Sequence, residues 1–249
     1  KKLMPMAESV SKNKYLLTMR DSFAMLMPML IFGSMFTLVG NLPIPAWVDF
    51  LKTTTLQGKS IFSLLAIPSA CTVSLMALFL AFNIGFNFAE HIGVEDRGAA
   101  GLASLVSWFV LMPQVTEFFS EDATKPFLVE SIPLAWTGAK GVFIAILVGF
   151  FSVHVFGFAV KKHWVIKMPE GVPTSVSLAF SALIPMTLTL SAVWLLSVFF
   201  SLTPWKDAFT FVYSILQAPL TLLGGTDWAL GISYVIQGVF WFFGINGSN

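Results

Sequence analysis

Charged side chains are scarce in this sequence: Asp, Glu, Lys and Arg make up 11% of its 249 residues, against about 25% in a typical soluble domain. Cysteine is rarer still. Cys71 is the single one, so the sequence offers neither a disulfide framework nor a cysteine-based metal site. The formal net charge is only +1, and no basic stripe exists to neutralise phosphates, which argues against a nucleic-acid partner.

Recognisable catalytic patterns are also missing. His91, His154 and His163 lie far apart and form no His-Glu-x-x-His pattern, and no phosphate-cradling Gly-x-x-x-x-Gly-Lys-Ser/Thr loop occurs. We therefore expect no catalytic residue, no metal and no cofactor. His154 lies inside an apolar run, where an ionisable side chain is a functional candidate by default. Because no acid is near it in the sequence, we expect a neutral, hydrogen-bonded structural histidine.

Long apolar runs dominate what is present. The mean hydropathy is +0.82, and several runs reach the roughly 20 apolar residues that a helix needs to cross a bilayer. The composition therefore predicts an all-α integral membrane protein, a polytopic helical bundle.

We predict five spans before residue 204. They are residues 22–40, 61–89, 98–113, 141–160 and 176–203. The second run contains Pro68 and is longer than one perpendicular crossing, which leaves a tilted and a broken helix both open. The basic segment 1–20 is expected to lie on the membrane surface as an amphipathic helix, without a signal peptide, and residues 41–60 are expected to form a loop.

Three further segments complete the organisation. Residues 114–137 are polar and contain Pro126 and Pro133, which favours a loop or short hairpin outside the bilayer. Residues 204–225 alternate apolar and polar positions at helical spacing, as in an amphipathic helix lying against the membrane or another helix. A sixth apolar run covers residues 228–245. Nine Lys and Arg residues fall on the side of the membrane that holds the N-terminus, and five fall on the opposite side. This bias predicts a cytoplasmic N-terminus.

A charged elbow separates the last two of the five spans. Pro169 and Pro173 each remove a backbone donor and disfavour helix in the preceding residue, and Gly171 between them permits a turn. One helix should therefore end near Lys161 and the next begin near Val176.

Polar side chains inside the apolar runs are the candidates for a binding site. Asn83, Asn87 and Glu90 recur at helical spacing and share one face. The two asparagines could hydrogen-bond neighbouring helices, or they could line a polar cavity for a hydroxyl-rich solute. Trp241 could likewise face lipid or stack on a sugar ring.

The elbow also carries a family resemblance. Residues 168–185 (MPEGVPTSVSLAFSALIP) resemble the enzyme IIC permeases of sugar phosphotransferase systems, lactose/cellobiose/chitobiose type. Four shorter pieces agree in order: KYL at 14–16, RDSF at 20–23, GAKG at 138–141 and WFFGING at 241–247.

The resemblance implies an architecture. Such permeases have about ten transmembrane helices and two re-entrant hairpins, and this chain would correspond to their first half. Residues 1–203 would form an N-terminal cytoplasmic segment and a five-span interface domain that holds a homodimer contact. Residues 204–225 would be a connecting helix and 226–249 the first helix of a transport domain, with the chain's stop at Asn249 fitting a fragment. Small residues at 98–103 could pack closely in the dimer.

The resemblance further implies group translocation across a bacterial plasma membrane. The permease would bind a disaccharide and present its 6-hydroxyl to a phosphorylated IIB partner. No phosphoryl-carrying residue is identified in this chain, so its status as an enzyme stays open.

The expected substrate contacts are Gly85, Asn87, Ser175, Trp241 and Asn246. Asn246 stands where the family has a histidine, and asparagine can donate and accept hydrogen bonds but cannot carry a proton. An acid that the family uses comes from a later segment. The alternatives are a secondary transporter or channel for a small polar solute, and a membrane scaffold without transport.

Overall fold

The computed structural model describes residues 12–118 and 127–224, mostly as helices. The α-helices are, in chain order, α1 Lys14–Gly40, α2 Pro45–Thr53, α3 Ile61–Cys71, α4 Met76–His91, α5 Arg97–Leu111, α6 Leu134–Thr137, α7 Val142–Lys161, α8 Thr174–Ser201 and α9 Ala208–Gly224. Two short antiparallel hairpins join β1 Thr55–Leu56 to β2 Lys59–Ser60, and β3 Val115–Phe118 to β4 Phe127–Glu130. The predicted helical fold class is confirmed.

Among the described residues, four stretches are long and apolar enough to cross a membrane: Lys14–Gly40, Ile61–His91, Ala139–Lys161 and Thr174–Ser201. Of the five spans predicted before residue 204, the remaining one is α5, which is apolar but has only 15 residues. The sixth apolar run, 228–245, lies outside the described residues. At 1.5 Å per residue it is about 22 Å long, shorter than a hydrocarbon core of about 30 Å.

The first span begins earlier than predicted. The Oδ1 of Asn13 accepts a hydrogen bond from the Tyr15 amide at 2.9 Å, which caps α1 at its first turn. Residues 14–20 are therefore the first two turns of the spanning helix, and Thr18 among them is fully buried. The expectation of a separate surface helix over 1–20 is wrong for this part, and residues 1–11 lie outside the described residues.

The second apolar run is broken, not tilted as one rod. The break lies at residues 72–75 between α3 and α4, whereas Pro68 stays inside α3. Thr72 has φ −120° and ψ −75°, and its Oγ1 donates to the Pro68 carbonyl at 2.7 Å. Thr137, on α6, donates to the Ser74 carbonyl at 2.7 Å, so a neighbouring element satisfies an acceptor that the break leaves free.

Residues 41–60 are not a plain loop. Pro45 is the first residue of α2, a position where its fixed φ suits a helix and its missing donor is not needed. Leu51 is buried, and the Trp47 indole N–H donates to the Val39 carbonyl at 2.8 Å. This one-sided apolar spacing was not predicted because Pro43 and Pro45 indicate a loop.

One end of the bundle collects five helix ends: the starts of α1, α5 and α8 and the ends of α4 and α7. Lys14 lies 5.5 Å from the Phe88 ring centre, Glu90 pairs with Arg97, and Ala182 packs in the cluster that contains Phe88. We call this the elbow end. It carries the break between α7 and α8.

The elbow itself agrees with the prediction. α7 ends at Lys161 and α8 begins at Thr174, with Pro173 as its N-cap residue. Gly171 has φ +98°, a conformation that favours glycine. Within 114–137, β3 and β4 pair as a hairpin, one of the two expected forms, and the unforeseen short helix α6 follows β4.

The last described helix packs on protein. Ala208 and Phe209 of α9 are buried, and the Phe209 ring contacts those of Trp108 and Trp136 at 5.1 and 5.6 Å between centroids. The sequence left this amphipathic helix lying either against the membrane or against another helix. In the structure it packs against other helices.

Candidate functional site

The Asn87 side chain joins α4 to α1. Its Nδ2 donates to the Ser22 hydroxyl at 3.0 Å and lies 3.3 Å from the Met25 sulfur. One turn earlier, the Asn83 Nδ2 donates to the Ser22 carbonyl at 3.4 Å. Both asparagines are buried. This is the helix-bridging use of asparagine, one of the two that the sequence left open.

Arg97 closes the elbow end of this cluster. Its Nη1 lies 2.7 Å from the Glu90 carboxylate, its Nη2 donates to the Asn87 Oδ1 at 3.4 Å, and its Nε donates to the Phe86 carbonyl at 3.2 Å. The guanidinium also lies 4.1 Å from the Phe86 ring centre. The sequence analysis missed Arg97 and Ser22 as partners of Asn87. Glu90 and Arg97 lie seven residues apart, but the turn between α4 and α5 that brings them together is not evident from spacing.

Both amide hydrogens and one oxygen lone pair of Asn87 are thus engaged within the chain. A carboxamide has two donors and two acceptor sites, so one acceptor site is left for any further ligand. The arrangement holds three helices together, and a sugar contact at Asn87 stays a prediction.

Gly85 is buried between α4 and α5. A Cβ at this position would lie 2.5 Å from the Ser104 Cβ and 2.8 Å from the Ala100 carbonyl oxygen. Helix packing this close requires glycine. Ala100, Gly101 and Ala103 are buried in the same contact region, so these three of the small residues expected in a dimer contact are occupied within one protomer.

Of the remaining predicted contacts, Ser175 is the one within the described residues, and no hydrogen bond joins it to Asn87 there. Ser175 is the second residue of α8, exposed at the elbow end. Trp241 and Asn246 lie outside the described residues. The predicted substrate residues therefore do not form one site within the described part of the chain.

His154 is held at both ring nitrogens. Its Nδ1 lies 2.7 Å from the Phe150 carbonyl, and its Nε2 lies 3.2 Å from the Tyr15 hydroxyl. A carbonyl only accepts, so Nδ1 carries the hydrogen and Nε2 can accept from Tyr15. The expected hydrogen-bonded, structural role of this histidine is thus found. Tyr15 lies on α1 and His154 on α7, so the pair also ties these helices together.

A groove of about 270 Å³ lies elsewhere, between α1 and α3. Thr37, Asn41 and Ser69 are among its lining residues, and Thr37 is about 22 Å along α1 from Ser22. The Thr37 hydroxyl already donates to the Ser69 Oγ at 2.8 Å. Across residues 12–118 and 127–224, no group of three His, Cys, Asp or Glu side chains is placed to hold a metal ion.

Comparison with known proteins adds a family match. The family model described as "Phosphotransferase system, EIIC" matches residues 20–249. Among curated relatives, the lichenan permease IIC component of Bacillus subtilis is 34% identical over 249 residues, covering 100% of this chain and 54% of the relative. The cellobiose-specific EIIC component of Geobacillus stearothermophilus is 32% identical over 248 residues, covering 99% of this chain and 54% of the relative.

A solved structure is similar as well. The crystal structure of ChbC, the IIC component from the N,N'-diacetylchitobiose-specific phosphotransferase system, superposes with a TM-score of 0.84 at 32% identity, covering 98% of this chain and 56% of that chain. A lactose-specific EIICB component of Lacticaseibacillus casei is 27% identical, covering 99% of this chain and 40% of the relative. The chain spans about half the length of the curated relatives that it matches most fully.

Proposed function

Because this chain belongs to the EIIC family of the phosphotransferase system, we propose that it acts in a permease that carries a β-linked disaccharide across the bacterial plasma membrane. The observation that supports this most is the agreement of the helical fold, at a TM-score of 0.84, with the IIC component ChbC. The substrate class is cellobiose-like, chitobiose-like or lactose-like, since the relatives are named for such sugars.

The chemistry follows from the family. The permease binds the disaccharide from outside and presents its 6-hydroxyl to a phosphorylated IIB protein or domain, which supplies the phosphoryl group. The relative whose name combines IIC and IIB in one EIICB component supports such a partner. The residues described here supply helix packing and positioning. Trp241 and Asn246 remain our proposed sugar contacts, with Ser175, Gly85 and Asn87 as further candidates.

We propose that residues up to 203 form a five-crossing unit, that 204–225 connect it, and that 226–249 begin a transport domain. The elbow end faces the cytoplasm, which places the N-terminus inside. Exposed lysines support this orientation, because Lys161, Lys162 and Lys167 gather at that end and cytoplasmic loops are rich in Lys and Arg.

A homodimer through α1 is part of the same proposal. The middle of α1 exposes a row of large apolar side chains, namely Ile31, Phe32, Met35 and Leu38. Within the most apolar 18 residues of α1, only 17% are buried inside the protomer. A second copy packed on this row would remove it from lipid.

Uptake in the native host tests the proposal. Entry of labelled cellobiose, chitobiose or lactose should require the gene for this chain, should need the phosphoenolpyruvate relay, and should deliver the 6-phosphate. An uncoupler that collapses ion gradients should leave it intact. Uptake abolished by the uncoupler but indifferent to loss of the relay would contradict the proposal and would favour a secondary transporter instead.

A further inference from the structure

An apolar row on α7 leads to the elbow end of the molecule. Phe143, Leu147, Phe151 and Phe158 lie on one side of the helix and are all exposed. His154 lies between Phe151 and Phe158 on the same side, where its ring contacts Tyr15 of α1. The first and last members of the row are 15 positions apart, or about 22 Å. In a membrane protein, such a row is a surface for acyl chains or for another helix.

The chain turns back at the end of this row. His163 has φ +58°, an uncommon conformation for a residue with a Cβ, and the Trp164 amide donates to the Ala159 carbonyl at 3.0 Å. The turn sets the Trp164 ring at 90° to the Phe158 ring, 5.7 Å between centroids. Trp164 is 49% and Phe158 53% exposed. Half-exposed indole rings are typical of the membrane–water interface.

Exposed cations lie at the end of α7 and on the elbow. Lys161, Lys162 and Lys167 are exposed, and the Lys162 Nζ lies 5.8 Å from the Phe158 ring centre. Arg20 and Arg97 each pair with a carboxylate. No carboxylate from the described ranges, 12–118 and 127–224, pairs with any of these three lysines.

We propose that the α7 end and the elbow bind the headgroup of an anionic phospholipid of the phosphatidylglycerol class. The Phe158 and Trp164 rings lie against the upper acyl chains and the glycerol, and Lys161, Lys162 and Lys167 contact the phosphate. A soluble phosphoprotein could also bind the lysines through its phosphate. It would not explain why the exposed Phe158 and Trp164 rings lie beside them. The inference goes beyond sugar transport and requires only that the chain lies in a membrane.

Quenching of Trp164 by brominated lipid tests this directly. The 249-residue chain is reconstituted in vesicles that contain either brominated phosphatidylglycerol or brominated phosphatidylcholine. The Trp164 signal is taken as the difference between the unsubstituted chain and Trp164→Phe. Each basic residue near an anionic membrane surface adds a modest and roughly additive amount to the free energy of lipid binding. We therefore expect phosphatidylglycerol to quench Trp164 at about a tenfold lower mole fraction than phosphatidylcholine.

Matched variants isolate the lysines. The Lys161→Gln/Lys162→Gln/Lys167→Gln chain should reduce the preference to about twofold or less. The corresponding triple arginine variant should keep it, and so should Lys52→Gln/Lys59→Gln/Lys140→Gln, which removes three charges elsewhere. Circular dichroism confirms that each variant is helical before it is compared.

Several results would overturn the proposal. Equal quenching by the two lipids, or an unchanged preference in the elbow glutamine variant, would mean that the lysines do not select the headgroup. Quenching by neither lipid would place another protein surface, such as a second copy, over Trp164. Loss of the preference in millimolar inorganic phosphate, with chloride at equal ionic strength as the control, would indicate a site for free phosphate. Displacement of the lipid by purified phosphorylated IIB would indicate a protein-docking surface.

Discussion

Gly33 on α1 packs directly against Thr72, the residue at which the long second apolar run is broken. A Cβ at residue 33 would overlap the Thr72 Oγ1 and would lie 3.0 Å from the Thr72 Cβ. The break and the glycine therefore depend on each other: the kinked backbone of 72–75 reaches α1 only because residue 33 has no side chain.

Gly33→Ala should destabilise the chain, despite the higher helix propensity of alanine. Overpacking a fitted contact costs about 1–3 kcal/mol, which exceeds the roughly 1 kcal/mol that alanine gains over glycine in a helix. Thermal unfolding in detergent measures the effect. Thr72→Ala should recover part of the loss in the double variant, because it removes the overlapping oxygen. Gly98→Ala is the control, since a Cβ there meets only Asp96 Oδ1 at 3.5 Å, and a melting temperature lowered equally by both glycine substitutions would contradict the argument.

Ser104 and Ser107 should respond oppositely to alanine. Both are fully buried on α5, but the Ser104 hydroxyl donates to the Ala81 carbonyl, whereas the Ser107 hydroxyl has no hydrogen-bond partner among the residues that the structure describes. Ser104→Ala loses one buried hydrogen bond and should cost about 0.5–1.5 kcal/mol, although the Ala81 carbonyl keeps its place in the α4 backbone ladder, whereas removing an unsatisfied hydroxyl can be neutral or stabilising. Chemical unfolding of the two variants compares them. Equal losses would mean that Ser107 is also hydrogen-bonded in the membrane.

The Asn87–Ser22 bond should show measurable coupling between α4 and α1. Hydrogen bonds between membrane helices average about 0.6 kcal/mol and reach about 1.7 kcal/mol in double-mutant cycles. Asn87→Ala, Ser22→Ala and the double variant form the cycle, with unfolding free energy as the readout. Asn87→Ala should cost more than Ser22→Ala because it also frees Arg97 Nη2. A coupling energy indistinguishable from zero would refute the bridge.

Crosslinking should trap dimers through α1. In a Cys71→Ser background, which removes the exposed native thiol, Met35→Cys should crosslink with a short bismaleimide because its side chain is 62% exposed. Val193→Cys, fully buried in α8, should not. If cysteines at Met35 and at neighbouring exposed positions of α1 give no crosslinked dimer, the homodimer contact lies elsewhere.

The purified 249-residue chain should give no saturable heat with cellobiose, chitobiose or lactose. Within the described residues, Asn87 has most of its hydrogen-bonding capacity occupied and Ser175 lies apart from it. A sugar hydroxyl that leaves water without a new partner costs about 1–3 kcal/mol. Two or three of them cost about 2–9 kcal/mol, which at its upper end cancels the roughly 8 kcal/mol of a micromolar complex. Micromolar binding in calorimetry would show that a complete site exists within this chain.

The fold was predictable from sequence wherever composition alone decides. Span-length apolar runs, the hairpin in 114–137 and the elbow with its Pro169–Gly171–Pro173 pattern all follow from local chemistry. Contacts between distant residues were not predictable. The break at Thr72 depends on the space at Gly33, and the burial of Thr18 in the first turns of α1 depends on other helices. Of the candidate site, the shared face of Asn83 and Asn87 could be predicted, but their partners Ser22 and Arg97 could not.

The shortness of α5 has a consequence for the surrounding lipid. Leu102 and Val106 on this helix are exposed, yet α5 is about 8 Å shorter than a typical hydrocarbon core. Acyl chains on this side must compress or tilt, at a fraction of a kcal/mol for each ångström of mismatch. A helix that packs over Leu102 and Val106 would displace these distorted lipids and relieve the mismatch. The mismatch therefore favours helix association on this side of the molecule, and lipids with longer acyl chains should make the association more favourable.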